Sequence, residues 1–238
     1  MTDYRTLRPS NLNSPQFRHL KLLLYWVIFG ILFYGVERVI PRRMYHTMWC
    51  PLDDRIPFCE WFMIPYMFWF VFLAGMHVYL LLEDIPAFRR MMRFIMLTYS
   101  AALVVFLLYP TRQLLRPAEF PRDNFLTRFI ATFYRFDTNT NVCPSLHCVG
   151  SMAVVFAARD TERLRKGACR VVFPVTGLLI SVSTVFVKQH SVQDVFWGMT
   201  LSLTAGALVY ILPRRGRKEA WRERTITWSS RSRPSGPF

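Results

Sequence analysis

At 238 residues the chain has room for one domain, and it is 53% hydrophobic and 16% aromatic, with a positive mean hydropathy of +0.21. The formal net charge of +15 invites a nucleic-acid reading. The charge distribution argues against that partner, because the basic residues gather between long apolar blocks, as they do around membrane spans.

A bilayer-spanning helix needs roughly 17–25 apolar residues. Six such blocks are read here, at about 20–36, 61–82, 94–109, 145–158, 171–187 and 195–212. The expected fold class is therefore all-α, a single polytopic membrane domain over residues 1–238. The polar head, Met1 to His19, has no cleavage-like small-residue pattern and is expected on the inner surface. The first span ends at Glu37-Arg38. Pro41, Pro51 and Pro57, with Asp53-Asp54-Arg55, make the following loop a folded-back segment rather than a helix. Cys50 and Cys59 fall in that loop, where a disulfide and two free thiols are both open readings.

The second span is densely aromatic and contains His77 toward its inner end. An intramembrane ionisable residue is a functional candidate by default. A neutral histidine bonded to a neighbouring helix is the reading preferred here. Arg89, Arg90 and Arg93 are expected to close the inner turn before the third span, which ends at Tyr109-Pro110. Arg112 and Arg116-Pro117 follow. Phe125, Leu126, Phe129, Ile130 and Phe133 then recur at helical spacing, which predicts an amphipathic helix in the membrane interface before the fourth span. Asp137-Thr138-Asn139-Thr140-Asn141 is turn chemistry.

The fourth span opens with Pro144-Ser145-Leu146-His147. Proline suits the first helical position, and Ser145 lies where unpaired backbone donors and the positive dipole end make an anion site. Cys143 and Cys148 flank this run without forming a recognisable metal-ligand set, so no metal is assigned. Pro174 is expected to kink the fifth span. A second polar cluster, Lys188 to Asp194, separates it from the sixth. His190 and Asp194 are four apart, so on a helix they share a face and the carboxylate can orient the ring. The basic tail, 213–238, either lies against anionic headgroups or is solvated. The connections expected on one side carry 20 Lys and Arg, those on the other 10. That bias puts both termini in the cytoplasm and both histidine clusters on the outer face of the cell membrane.

Polar groups thus collect at the outer ends of spans three to six, where a phosphate can be met. Arg112, Arg116, Lys188 and one of Arg122 or Arg128 are the cations available to it. The amides around Ser145 and Leu146 complete a cradle. A histidine fixed by a carboxylate can attack phosphorus, which makes His190 the candidate nucleophile and Asp194 its partner. His147 is then the candidate general acid. No metal or other cofactor is required if the cationic side chains stabilise the equatorial oxygens.

These residues resemble the type 2 phosphatidic acid phosphatase superfamily of integral membrane lipid phosphatases. Its three motifs are Lys-x6-Arg-Pro, Pro-Ser-Gly-His and Ser-Arg-x5-His-x3-Asp. Pro144-Ser145-Leu146-His147 matches the second except at Leu146. Ser183, His190 and Asp194 match the third at the right spacing, with Thr184 in place of its arginine. Arg116-Pro117 matches the end of the first, with Tyr109 in place of its lysine. The resemblance implies His190 as nucleophile, Asp194 as its partner and His147 as acid or base, with phosphate held by Arg116 and Ser145. Arg112 and Lys188 are the expected replacements for the two absent cations. The implied substrate is a phosphatidate-like or polyprenyl phosphate monoester drawn from the bilayer. Pro-Ser-Leu-His also resembles the branch containing inositol phosphorylceramide synthases, which transfer a phosphoalcohol to another lipid, so a headgroup phosphotransferase is the alternative. A lipid-binding protein without catalysis is a third, and oligomeric state is unassigned.

Overall fold

The structure is a computed structural model describing residues 4–212; the basic tail, 213–238, lies outside the described residues. A 3-10 turn, Arg18–Leu23, runs directly into α1 (Leu24–Val39). The proline-rich loop folds back as expected, although Pro51–Arg55 forms one helical turn, α2, with Pro51 at its first position. The aromatic block is α3 (Met63–Glu83). Asp84 alone separates it from α4 (Ile85–Leu108), because its carboxylate accepts the Ala87 N–H at 2.9 Å and Pro86 occupies the first turn. Arg89, Arg90 and Arg93 are therefore helical residues of α4 rather than a turn, and Arg90 forms an ion pair with Asp160. Next come α5 (Phe125–Phe136), capped by Asn124 and Thr127, and α6 (Leu146–Asp160). α7 (Cys169–Phe186) continues through Pro174, and α8 (Val192–Gly206) ends in a π turn, Ala207–Ile211.

Five helical segments are long and apolar enough to cross a membrane: Arg18–Val39, Glu60–Glu83, Ile85–Leu108, Cys169–Phe186 and Val192–Ile211. The fourth expected span, α6, has 15 residues. That is about 22 Å of helix against a hydrocarbon core of about 30 Å. Its composition suits an interior position instead. Nine of its residues are buried, several of them small (Gly150, Ser151, Ala153, Ala157, Ala158), and small side chains let backbones approach closely. α6 packs against α3, α4, α7 and α8. At Gly198 of α8 a Cβ would lie 3.0 Å from the Ser145 carbonyl oxygen, so glycine is what brings α8 against the start of α6.

Hydrogen bonds gather the connections at one end of the bundle. The Cys59 N–H donates to the carbonyl of Phe186, the last residue of α7. His46–Thr47 pairs in parallel with Thr111–Arg112, and Arg112 bridges to Thr140. Thr138 bonds Glu37 near the end of α1. Three connections that are remote in sequence therefore close over the start of α6.

Candidate active site

Ser145 caps α6: its Oγ accepts the Cys148 N–H at 3.4 Å, while its own N–H donates to the Asp194 carbonyl at 3.0 Å. The next two amides, Leu146 and His147, have no carbonyl behind them in the helix. Lys188 has φ 51°, the left-handed conformation that ends many helices. The Gln189 and His190 N–H groups both return to the Thr184 carbonyl, at 2.9 and 3.1 Å. Ser191 then caps α8, and the Asp194 carboxylate answers by accepting the Ser191 N–H at 2.8 Å, a capping box.

That box corrects the expected pairing of His190 with Asp194. His190 stands in the turn before α8, so the two do not share a helix face. The same Oδ2 that accepts from Ser191 also accepts from His190 Nδ1, at 3.3 Å. Nδ1 of His190 is thereby engaged by the Asp194 carboxylate.

His147, in the first turn of α6, presents its ring to His190 with centroids 6.0 Å apart. Tyr66 and Trp69 of α3 lie on it at 4.3 and 4.5 Å. Its Nε2 is buried and has no hydrogen-bond partner. A buried polar atom without a partner is uncommon and costly, and this one belongs to a ring with Tyr66 and Trp69 against it and His190 6.0 Å away between centroids.

Arg116 is the third member. Its guanidinium donates to Gln189 Oε1 from Nε and Nη2 (3.1 and 2.6 Å), to the Tyr134 carbonyl (2.9 Å) and to the Asp137 carbonyl (2.7 Å). It also lies on the Tyr134 ring. Burial pushes the Tyr134 phenol up, against the pull of this guanidinium.

The side chains of Lys188, Arg112 and Ser183 are not gathered with the histidines. The Lys188 ammonium is buried and donates to the Asp53 and Ile56 carbonyls at 2.8 and 2.6 Å. Burial lowers its pKa, and Asp53 and Asp54 oppose that shift. The left-handed backbone turns this side chain toward the folded-back loop, a direction that nearness in sequence does not reveal. Arg112 lines a different cavity, of about 390 Å³, with Glu37, Tyr45, Thr138 and Thr140. Ser183 is fully buried and bonds back to the Ile180 carbonyl within α7. Thr184, in the arginine place, is buried and bonds the Ser181 carbonyl. Tyr109, in the lysine place, stacks flat on His46 at 4.1 Å. The Leu146 carbonyl accepts from Tyr99 at 3.3 Å. Cys50 and Cys59 carry free thiols.

Five residues escaped the sequence reading. Asp53 is fully buried and accepts from Ser191 Oγ (2.6 Å), the Val192 N–H (2.8 Å) and the Cys50 N–H (2.8 Å), pinning the loop over the start of α8. Tyr66 and Trp69 belong to the densely aromatic second block, in which His77 was the residue singled out. Asp137 accepts from the Tyr66 hydroxyl and from Gln189 Nε2, both at 2.9 Å. Gln189 joins Asp137 to Arg116. Only the acidic character of Asp53-Asp54 in the proline-rich loop and of Asp137 ahead of the second motif was a usable signal.

Two facing imidazoles, one carboxylate-bound and one caged with an unpartnered nitrogen, stand beside two free helix amides. That is an arrangement for nucleophilic attack with proton delivery on an anionic ester. Residues 90–218, just over half of the chain, match the family model described as the PAP2 superfamily. No curated protein and no solved structure matches the chain.

Proposed function

The chain belongs to the PAP2 superfamily, and from that premise we propose that it is a membrane-embedded enzyme transferring the phosphoryl group of a lipid phosphate to water through a phosphohistidine. The observation that carries this reading is the facing His147–His190 pair, 6.0 Å between centroids, with a carboxylate on His190 alone. His190 Nε2 attacks phosphorus, and a P–N bond forms as the P–O bond to the lipid alcohol breaks. The departing alkoxide takes a proton from His147. Water then attacks the phosphohistidine, giving its proton back to His147, and the electron pair of the broken P–N bond returns to His190 as phosphate leaves. The Leu146 and His147 amides and the remaining N–H of Arg116 meet the charge that develops. No step in this reading runs through a metal ion.

A groove of about 710 Å³ supports a lipid substrate. It runs from Cys143, Pro144 and Gln193, next to the site, to Val105, Trp197 and Leu201 between α4 and α8. An acyl or prenyl chain fits its apolar lining. We take α6 as a sixth crossing, shortened because protein rather than lipid surrounds it. We take α5 as an interfacial helix, since Phe125 and Phe136 are exposed while Ile130 is buried. The excess of Lys and Arg on one set of connections supports cytoplasmic termini and an outward-facing site.

A second reading, transfer of a phosphoalcohol to an alcohol acceptor, is favoured by one observation: Arg116 and Lys188 already donate to protein acceptors. Purified protein given a lipid phosphate monoester and, in parallel, a phosphodiester phospholipid with an alcohol acceptor separates the two. Phosphate release without acceptor supports hydrolysis, and acceptor-dependent lipid product supports transfer. His190→Ala is expected to abolish both, together with the acid-labile phosphoprotein, and turnover that survives it overturns the proposal.

A further inference from the structure

Asp53 and Lys188 are buried charges on two different connections, 0% and 8% exposed, and each is satisfied by the other's connection. The Asp53 carboxylate meets the start of α8, accepting the Ser191 hydroxyl at 2.6 Å and the Val192 N–H at 2.8 Å. An anion is favoured at that positive end of a helix. The Lys188 ammonium meets the end of α2, donating to the Asp53 carbonyl at 2.8 Å and the Ile56 carbonyl at 2.6 Å. Carbonyls at a helix end lack partners within the helix, and a cation suits them. A buried charge stripped of its partner is costly, so parting the loop from the turn would strand both charges at once.

His190 lies between the two anchors, two residues after Lys188 and one before Ser191. Its ring is bonded through Nδ1 to Asp194 at 3.3 Å, a long hydrogen bond that does little to fix the ring by itself. The same Asp194 oxygen accepts the Ser191 N–H at 2.8 Å, so Ser191 joins Asp53 to the carboxylate that orients His190. Lys188 also holds φ 51°, a conformation that glycine adopts freely and a lysine adopts at a cost. The ammonium, rather than the backbone, accounts for a lysine at this place.

Resting on histidine-based phosphoryl transfer at this site, we propose that Asp53 and Lys188 are positioning residues for the His190 nucleophile: a reciprocal clamp between the loop 50–56 and the turn 188–191 that sets where His190 stands relative to His147. Neither side chain touches the phosphoryl group. Asp53 acts through Ser191 and Asp194, and Lys188 acts through the loop instead of serving as the phosphate cation expected from its place in the sequence.

The test uses the full chain in detergent micelles hydrolysing a lipid phosphate monoester, with kcat and KM read separately. Lys188→Gly keeps the left-handed turn and removes the ammonium. Its kcat is expected to fall about 10²-fold, the scale of a reacting group displaced by about 1 Å, while KM stays within about threefold of wild type. Asp53→Asn keeps the side chain's size but turns one accepting oxygen into a donor, and the same split is expected. An unchanged kcat in either folded variant overturns the proposal. So does a raised KM with kcat kept in Lys188→Gly, which would return Lys188 to the phosphate. Wild type supplies a readout that needs no variant to fold: by hydrogen exchange, peptides 50–56 and 188–194 are expected to be protected together, and a freely exchanging 50–56 segment overturns the clamp. If wild type releases no more phosphate than His190→Ala does, the histidine chemistry itself falls and the proposal with it, an outcome distinct from an unchanged kcat in the variants.

Discussion

His77 and His147 are both histidines on the bundle's helices with a tryptophan against the ring, and they differ in what happens to their nitrogens. In His77, Nδ1 donates to the Leu73 carbonyl at 2.8 Å and Nε2 accepts from the Trp26 indole at 3.2 Å. Both nitrogens are occupied by protein, which agrees with the expectation of a neutral histidine bonded to a neighbouring helix. His147 is held by ring faces instead, and its Nε2 is left without a partner 6.0 Å between centroids from a second imidazole. Hydrogen bonds at both nitrogens make a histidine part of the scaffold. Stacking alone fixes the ring and leaves the nitrogen available to bind and move a proton.

The largest expected break in this contrast is His147→Ala. Loss of a general acid costs about 10²–10⁴-fold in rate, so kcat on a lipid phosphate is expected to fall by that order. The loss should shrink for nitrophenyl phosphate, whose leaving group needs no proton. Equal losses on the two substrates would remove the acid role.

Gly150→Ala tests the cage itself. A Cβ there would stand 2.8 Å from both Trp69 Nε1 and the Tyr99 hydroxyl, so the Trp69 ring that packs on His147 is displaced unless Gly150 moves. Overpacking of this kind costs about 1–3 kcal/mol. A lower unfolding temperature with reduced kcat is expected, and an unchanged kcat would show that the ring does not depend on Trp69. His77→Leu is the opposite control. It leaves the Trp26 N–H without its acceptor, worth on the order of 0.6 kcal/mol between membrane helices. Activity is expected to stay within about threefold of wild type, and a loss as deep as that of His147→Ala would erase the contrast. The smallest effect concerns Cys143. Burial, with the Asp194 charge beside it, pushes this thiol up to about 12. Its thiolate is about 10⁻⁴ of the population at pH 8 and grows only as pH approaches that value. Iodoacetamide at pH 8 should leave Cys143 unmodified by mass spectrometry, and stoichiometric labelling would contradict the buried placement.

Much of the site was legible from local chemistry. Ser145 caps the helix start read there, with Pro144 before the cap rather than at the first helical position, and Asp194, read as sharing a helix face with His190, has capping-box spacing to Ser191. The missed residues share a different property: each acts on something far along the chain. Asp53 reaches Ser191 across 138 positions and Tyr66 reaches Asp137 across 71. Arg112 and Lys188 were assigned by nearness in sequence, which says nothing of where a flexible side chain points. The fourth span was counted from its apolar run, and it is α6, the helix whose small residues are matched to protein neighbours.

The sequence by itself determined the helical class, the order of the apolar blocks and the two polar junctions with His147, His190 and Asp194, because block length and cap spacing act within a few residues of backbone. Only the tertiary structure decided that the two rings face each other, that Tyr66 and Trp69 cage one of them, and that Asp137 and Gln189 take up the Arg116 guanidinium. The closing of three loops over one helix start selects those partners, and a side chain's partner across tens of residues is set by packing that no local pattern encodes.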